Sequence, residues 1–273
     1  MFDFEEESVD SRAKSIKEIT DELPDITGQS KYSFLIITDP HFGAGHERDD
    51  NAFIKKFEKL LQNQDKSLQP KFLVNLGDTL NSGKKSEARD YTAFCEKIVN
   101  SAKKISNTDN FKIYTILGNH DLYNTGWNTW KKHIYPYTSY YHFELKSGSE
   151  NQGFSYYFID SANGSLGSPQ LNSLKKSLYS DSKPKIIFTH YALYAGGVFY
   201  ATLQNSIERN IILSYLEENN TKYVFSGHKH KSHIATTSSF TERLIPSFLY
   251  SDVCCLVTVD EENQSVKSSL IYF

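Results

Sequence analysis

Eight residues able to bind a metal ion or move a proton stand in five short blocks: Asp39-Pro40-His41, Gly77-Asp78, Gly118-Asn119-His120-Asp121, Thr189-His190 and Gly227-His228-Lys229-His230. Two carboxylates (Asp39, Asp78), one amide oxygen (Asn119) and four imidazoles (His41, His190, His228, His230) supply enough donors for two divalent cations, with His120 beside them. Borderline metals such as manganese, iron and zinc accept mixed imidazole and carboxylate donors. Two doubly charged ions against two carboxylates leave about two positive charges, which suits an anionic ligand such as phosphate. A single Gly-Asp or Thr-His pair means nothing alone. The signal is the ordered set.

Donors this far apart in sequence need a fold that gathers them. From residue 32 onward the chain alternates strand-like and helix-like segments. The apolar runs 34–38, 72–76 and 111–117 read as strands covered on both faces. Between them, 49–62 and 86–105 carry apolar residues at helical spacing. Strand, helix, strand, helix, strand implies parallel βαβ units with right-handed crossovers. Farther on, 140–145 and 154–159 flank a Gly/Ser/Asn-rich turn and read as a hairpin. A helix is expected over 168–179 with Ser168 as N-cap and Pro169 in its first turn, then a strand at 185–189, a helix at 206–218 and a strand at 223–226. Strand-like segments follow at 233–237, 248–251, 253–259 and 269–273. The expected fold is α/β: two mixed β-sheets packed face to face with helices on the outer faces. Residues 1–30 read as a lead-in, a short helix over 8–22 or flexible, and 31–273 as one domain. Each block closely follows an expected strand, where the loops of α/β sheets open a crevice for ligands.

These blocks together resemble the calcineurin-like metallophosphoesterase superfamily, in particular its smaller phosphatase-like members. The likeness extends over roughly residues 33–260, taking in the hairpin from Tyr140-Tyr141-His142-Phe143 to Phe158-Ile159-Asp160, the helix Gln170-Leu171 to Leu178, and the strand region 184–194. The resemblance implies one metal on Asp39, His41, Asp78 and His230, and a second on Asp78, Asn119, His190 and His228, bridged by Asp78. It implies hydrolysis of phosphate esters by a hydroxide held between the metals, with His120 protonating the leaving oxygen and Asp121 orienting the His120 ring. Two positions depart from the pattern. Asn81 stands where relatives often have a second aspartate and purple acid phosphatases a metal-binding tyrosine, so a coloured tyrosinate–iron centre is not expected. Tyr191 replaces the histidine that many relatives carry after Thr-His, which removes a second acid or phosphate-binding group.

A formal net charge of -3 and dispersed Lys and Arg argue against a broad nucleic-acid surface, though nucleases of the same superfamily and a catalytically silent scaffold remain the competing readings. The expected partner is a small phosphate-ester substrate. Cys95, Cys254 and Cys255 lack metal-site spacing, and the last two would point to opposite faces of a strand as apolar filler. The acidic start has no apolar signal core, and no stretch approaches the ~20 apolar residues of a membrane span. A cytoplasmic location is expected as the chain is written, with an exported form that has lost its signal as the alternative. His46, His133, His142 and His233 read as surface or structural. Tyr191, Tyr194, Phe199 and Tyr200, and separately Trp127 and Trp130, are candidates for either loop packing or an aromatic rim.

Overall fold

A computed structural model describes residues 7–46, 48–108, 110–148, 153–194 and 201–273. Its first half runs α1 (Val9–Arg12), β1 (Lys17–Glu18), β2 (Lys31–Ile37), α2 (Asp50–Leu61), β3 (Pro70–Asn75), α3 (Lys85–Ser106), β4 (Ile113–Thr115) and α4 (Gly126–His133). The second half runs β5 (Tyr141–Leu145), β6 (Phe154–Phe158), α5 (Ser168–Ser180), β7 (Lys185–Thr189), α6 (Ser206–Glu218), β8 (Thr221–Ser226), β9 (His233–Thr236), β10 (Thr241–Leu244), α7 (Phe248–Ser251), β11 (Val253–Asp260) and β12 (Ser265–Tyr272).

Alternation along β2 shows why its apolar run is unbroken. Phe34 and Ile36 enter the core between the sheets, while Leu35 and Ile37 pack under the helices on the other side. Both faces are covered, so both must be apolar. The same split sends Cys255 into the inter-sheet core and Cys254 into the outer one. One sheet has the order β12-β11-β2-β3-β4, parallel from β2 through β4. The other has the order β1-β5-β6-β7-β8-β10-β9, parallel from β6 through β8 to β10. Between them lie aromatic side chains such as Phe34, stacked on Phe72 at 4.6 Å. Burying such a ring contributes ~1.5–3 kcal/mol each. Phe53 and Phe57 of α2, Phe94 of α3 and Trp130 of α4 cover the first sheet; Leu174 of α5 and Ile212 of α6 cover the second. This is the expected α/β architecture of two mixed sheets face to face with helices outside.

Several segments differ from expectation. The helix over 8–22 is a single turn, α1, followed by β1, which pairs in parallel with β5. The cause is burial. Val9, Ala13, Ile19 and Ile26 are buried, and Arg12 forms a fully buried ion pair with Asp160 at 2.7 Å. The lead-in therefore packs onto the sheets. At α5 the N-cap is Gly167, at φ 72°, and Ser168 is already helical. The 248–251 segment is a helical turn, not a strand; a short apolar run does not distinguish the two. β10 escaped notice because its inward residues are polar: buried Glu242 accepts the Leu193 and Tyr194 amides, and Arg243 donates to Ser268. Among the described residues, no helix is long and apolar enough to cross a membrane.

Candidate metal centre

Asp39, Asp78, Asn119, His190 and His228 lie just past the carboxyl ends of β2, β3, β4, β7 and β8, where their side chains come together. The turns that deliver them are tight. Asp39, His41, Asp78, His228 and His230 all adopt left-handed backbone, with φ from 41° to 63°. Non-glycine residues hold that conformation only where surrounding contacts over-determine it, at ~1–3 kcal/mol each. The contacts are visible. The Asp39 amide donates to Gly77 O and the His41 amide to Asp78 O, so the first two blocks are laced together. Gly118 lets the third block press against the second: a Cβ there would meet the Asp78 amide nitrogen and Oδ1 at 2.2 Å.

The donor atoms form overlapping groups. Asp39, His41 and His230 offer atoms within 4.8 Å of one another, as do His41, Asp78 and His120, and Asp78, His190 and His228. Asp78 spans both halves, with Oδ1 3.5 Å from His190 Nε2 and Oδ2 3.8 Å from His41 Nε2. Asn119 Oδ1 is 3.1 Å from His190 Nε2, and Asp39 Oδ1 is 3.2 Å from His230 Nε2. His41 Nε2 and His230 Nε2 approach to 3.4 Å. At most one proton can sit between two such nitrogens, and a shared cation satisfies both lone pairs. The residues present fit a two-cation centre.

Partners behind the donors aim them. His190 Nδ1–H donates to Leu76 O at 2.8 Å, which turns Nε2 toward the cluster. Asp39 Oδ2 accepts from Thr38 Oγ1 at 2.6 Å and the His228 amide at 3.1 Å, which leaves Oδ1 inward. The His120 amide donates to Asp78 Oδ1 at 2.8 Å. Burial would lift the Asp78 carboxyl, but the His190, His41 and His120 rings hold it well below the usual carboxylate range. Burial would lower His190, yet Asp78, Asp39 and the Leu76 carbonyl raise it to about 9. At His41 burial prevails over the nearby carboxylates and the ring is pushed down; at His230 the Asp39 bond prevails and the ring is pushed up.

Asp121 requires a correction. Its oxygens accept from the Leu80 amide at 2.7 Å and the Gly118 amide at 2.8 Å, so it braces the second block against the third. The His120 ring is held instead by Asn81 O, 2.9 Å from Nδ1. Adjacency in sequence does not make Asp121 the partner of that ring, because the two side chains leave the 3-10 turn His120–Thr125 in different directions. Burial and the Asp78 charge push the Asp121 carboxyl up to about 8 against the backbone amides that face it.

Tyr191 is buried against His228, with ring centroids 4.0 Å apart, so it packs beneath a donor. Trp127 and Trp130 are core residues, and Tyr194 is exposed. Phe199 and Tyr200 lie outside the described residues. His233 is exposed on β9 and His133 at the end of α4. The sequence reading missed Tyr250, an exposed ring 5.4 Å from His230 and 6.3 Å from His41, and Tyr123, 4.8 Å from His120. Neither carries a motif.

A family model described as calcineurin-like phosphoesterase matches residues 32–232. Among solved structures, the chain is similar to a dimetal phosphatase from Danio rerio, at 13% identity over 89% of this chain and 99% of that one, TM-score 0.58. It is also similar to GAP50, the anchor in the inner membrane complex of Plasmodium, at 15% identity over 89% and 84%, TM-score 0.62. A putative 5'-nucleotidase from Staphylococcus aureus aligns at 13% identity over 89% of this chain and 54% of that one, TM-score 0.50. At these identities the likeness shows the fold alone. No curated protein matches the chain.

Proposed function

Because the chain belongs to the calcineurin-like phosphoesterase family, we propose that it hydrolyses phosphate monoesters or small diesters with two divalent cations of the manganese, iron or zinc type. One observation carries this reading: three donor groups overlap through His41 and Asp78, each within 4.8 Å, at the ends of separate strands. Asp39, His41, Asp78 and His230 would hold one cation, and Asp78, Asn119, His190 and His228 the other. When bound, the pair would neutralise the phosphoryl oxygens and lower the pKa of a water to make the nucleophile. The protein's own groups do the rest. The carbonyls of Leu76 and Asn81 fix the His190 and His120 rings, each through Nδ1. That leaves His120 Nε2 to carry the mobile proton and deliver it to the departing oxygen. Asp121 acts by bracing Gly118 and Leu80 and touches no reacting atom.

The test is to assay cation-loaded protein side by side on p-nitrophenyl phosphate, bis-p-nitrophenyl phosphate, cyclic nucleotides and single-stranded DNA. The proposal expects turnover of the first two. Cutting of DNA alone would make the protein a nuclease. No turnover at full loading would favour the catalytically silent scaffold on the same fold.

A further inference from the structure

Tyr250 stands at the mouth of the donor cluster and is 53% exposed. Its ring lies 5.4 Å from the His230 ring, 6.3 Å from His41 and 5.2 Å from His46. Singly exposed aromatic residues are common on protein surfaces. This one is set apart by how rigidly it is carried. Ser247 Oγ donates to Asp39 O at 2.9 Å and accepts the Tyr250 amide at 3.4 Å, and the Phe248 amide donates to Thr38 O at 2.8 Å. Phe248, two residues earlier, is buried edge-on against Phe53. The backbone that carries Tyr250 is therefore tied by hydrogen bonds to Thr38 and Asp39.

Direction follows from His120. Its ring packs against His41 at 4.7 Å, and the Tyr250 ring lies 6.3 Å from that same imidazole. If His120 protonates the leaving oxygen, the leaving group departs at the edge formed by His120 and His41, which Tyr123 and Tyr250 border. A flat π-faced group can stack there, whereas an aliphatic one gains little. Resting on the phosphoesterase reading above, we propose that Tyr250 is a specificity-determining platform, and that the substrates are small phosphate esters whose alcohol carries a planar aromatic ring, such as a nucleoside.

Adenosine 5'-monophosphate and ribose 5-phosphate test this, because both release the same kind of primary hydroxyl and differ by the base. The reading is the ratio of their kcat/KM values in wild type, Tyr250→Phe and Tyr250→Ala, compared at equal bound cation. Wild type is expected to favour the nucleotide about tenfold or more, Tyr250→Phe to keep that preference, and Tyr250→Ala to bring the ratio near one. Competition by adenosine is expected to weaken in Tyr250→Ala as well. A wild-type ratio near one, or a ratio unmoved by Tyr250→Ala, overturns the proposal. Loss of cations in Tyr250→Ala would also overturn it, by making Tyr250 a prop for the histidines. If cation-loaded wild type hydrolyses neither compound nor p-nitrophenyl phosphate, the phosphoesterase reading itself fails. Hydrolysis of p-nitrophenyl phosphate with a ratio near one sinks only the platform.

Discussion

Asp78 touches both halves of the donor cluster, one oxygen toward His190 and the other toward His41. Asp78→Ala is therefore expected to lose both cations, and His228→Ala only one, as metal analysis per chain will show. His120 plays a different part, since its ring is fixed by a carbonyl. His120→Ala is expected to keep its metals and to lose ~10²–10⁴-fold in turnover on alkyl phosphates, less on p-nitrophenyl phosphate, whose leaving group needs no proton. The pH dependence of cation binding follows from His190. In the cation-free protein its ring is raised to about 9, so below that pH it is protonated and a cation must displace the proton. Affinity is expected to rise as pH climbs from 6 toward 9, with proton release detectable by calorimetry in buffers of differing ionisation enthalpy. That these histidines and aspartates gather at one place was legible in the sequence, because they form an ordered set of blocks just past strand ends. Their carbonyl partners, Leu76 O and Asn81 O, were not, since a backbone oxygen leaves no mark on residue type. The role of Asp121 was misread for the same reason.

Among the elements, the loops matter more than the strands they join. A Cβ on Gly118 would press on backbone and on the Asp78 carboxylate at 2.2 Å, with no flexible side-chain end to yield. Gly118→Ala is expected to destabilise the fold by ~1–3 kcal/mol in chemical denaturation and to release cations. A subtler case is the loop after β6. Ser161 Oγ accepts from Thr189 Oγ1 at 2.9 Å and from the amides of His190 and Tyr191 at 3.2 and 3.1 Å. Ser161→Ala is expected to weaken the cation at His190 by about tenfold while sparing the one at His230, measured by metal titration. The central strands could be read in advance because burial on both faces demands unbroken apolar runs. β10 could not, because buried Glu242 and Arg243 serve hydrogen bonds that no periodicity encodes. α7 could not either, because its shape comes from Ser247 and the first donor block.

Across the whole molecule, the two sheets meet on an aromatic core, and the strands that carry donors end at one rim. The N-terminal segment reaches that frame through Arg12, whose guanidinium bonds both oxygens of Asp160 next to Ser161. Removing one partner of a fully buried pair leaves a charge without compensation, so Arg12→Met is expected to cost ~3–5 kcal/mol in stability. A lone arginine in a charged stretch gave no hint of this, because its partner lies 148 residues away. Hydrolysis by this fold requires cations gathered at the donor cluster. The direct measurement is stepwise addition of manganese to chelator-stripped protein while p-nitrophenyl phosphate hydrolysis is followed. Activity is expected to be absent at first and to rise to its full value as the second equivalent binds; hydrolysis indifferent to stripping, or silence with two ions bound per chain, would contradict it.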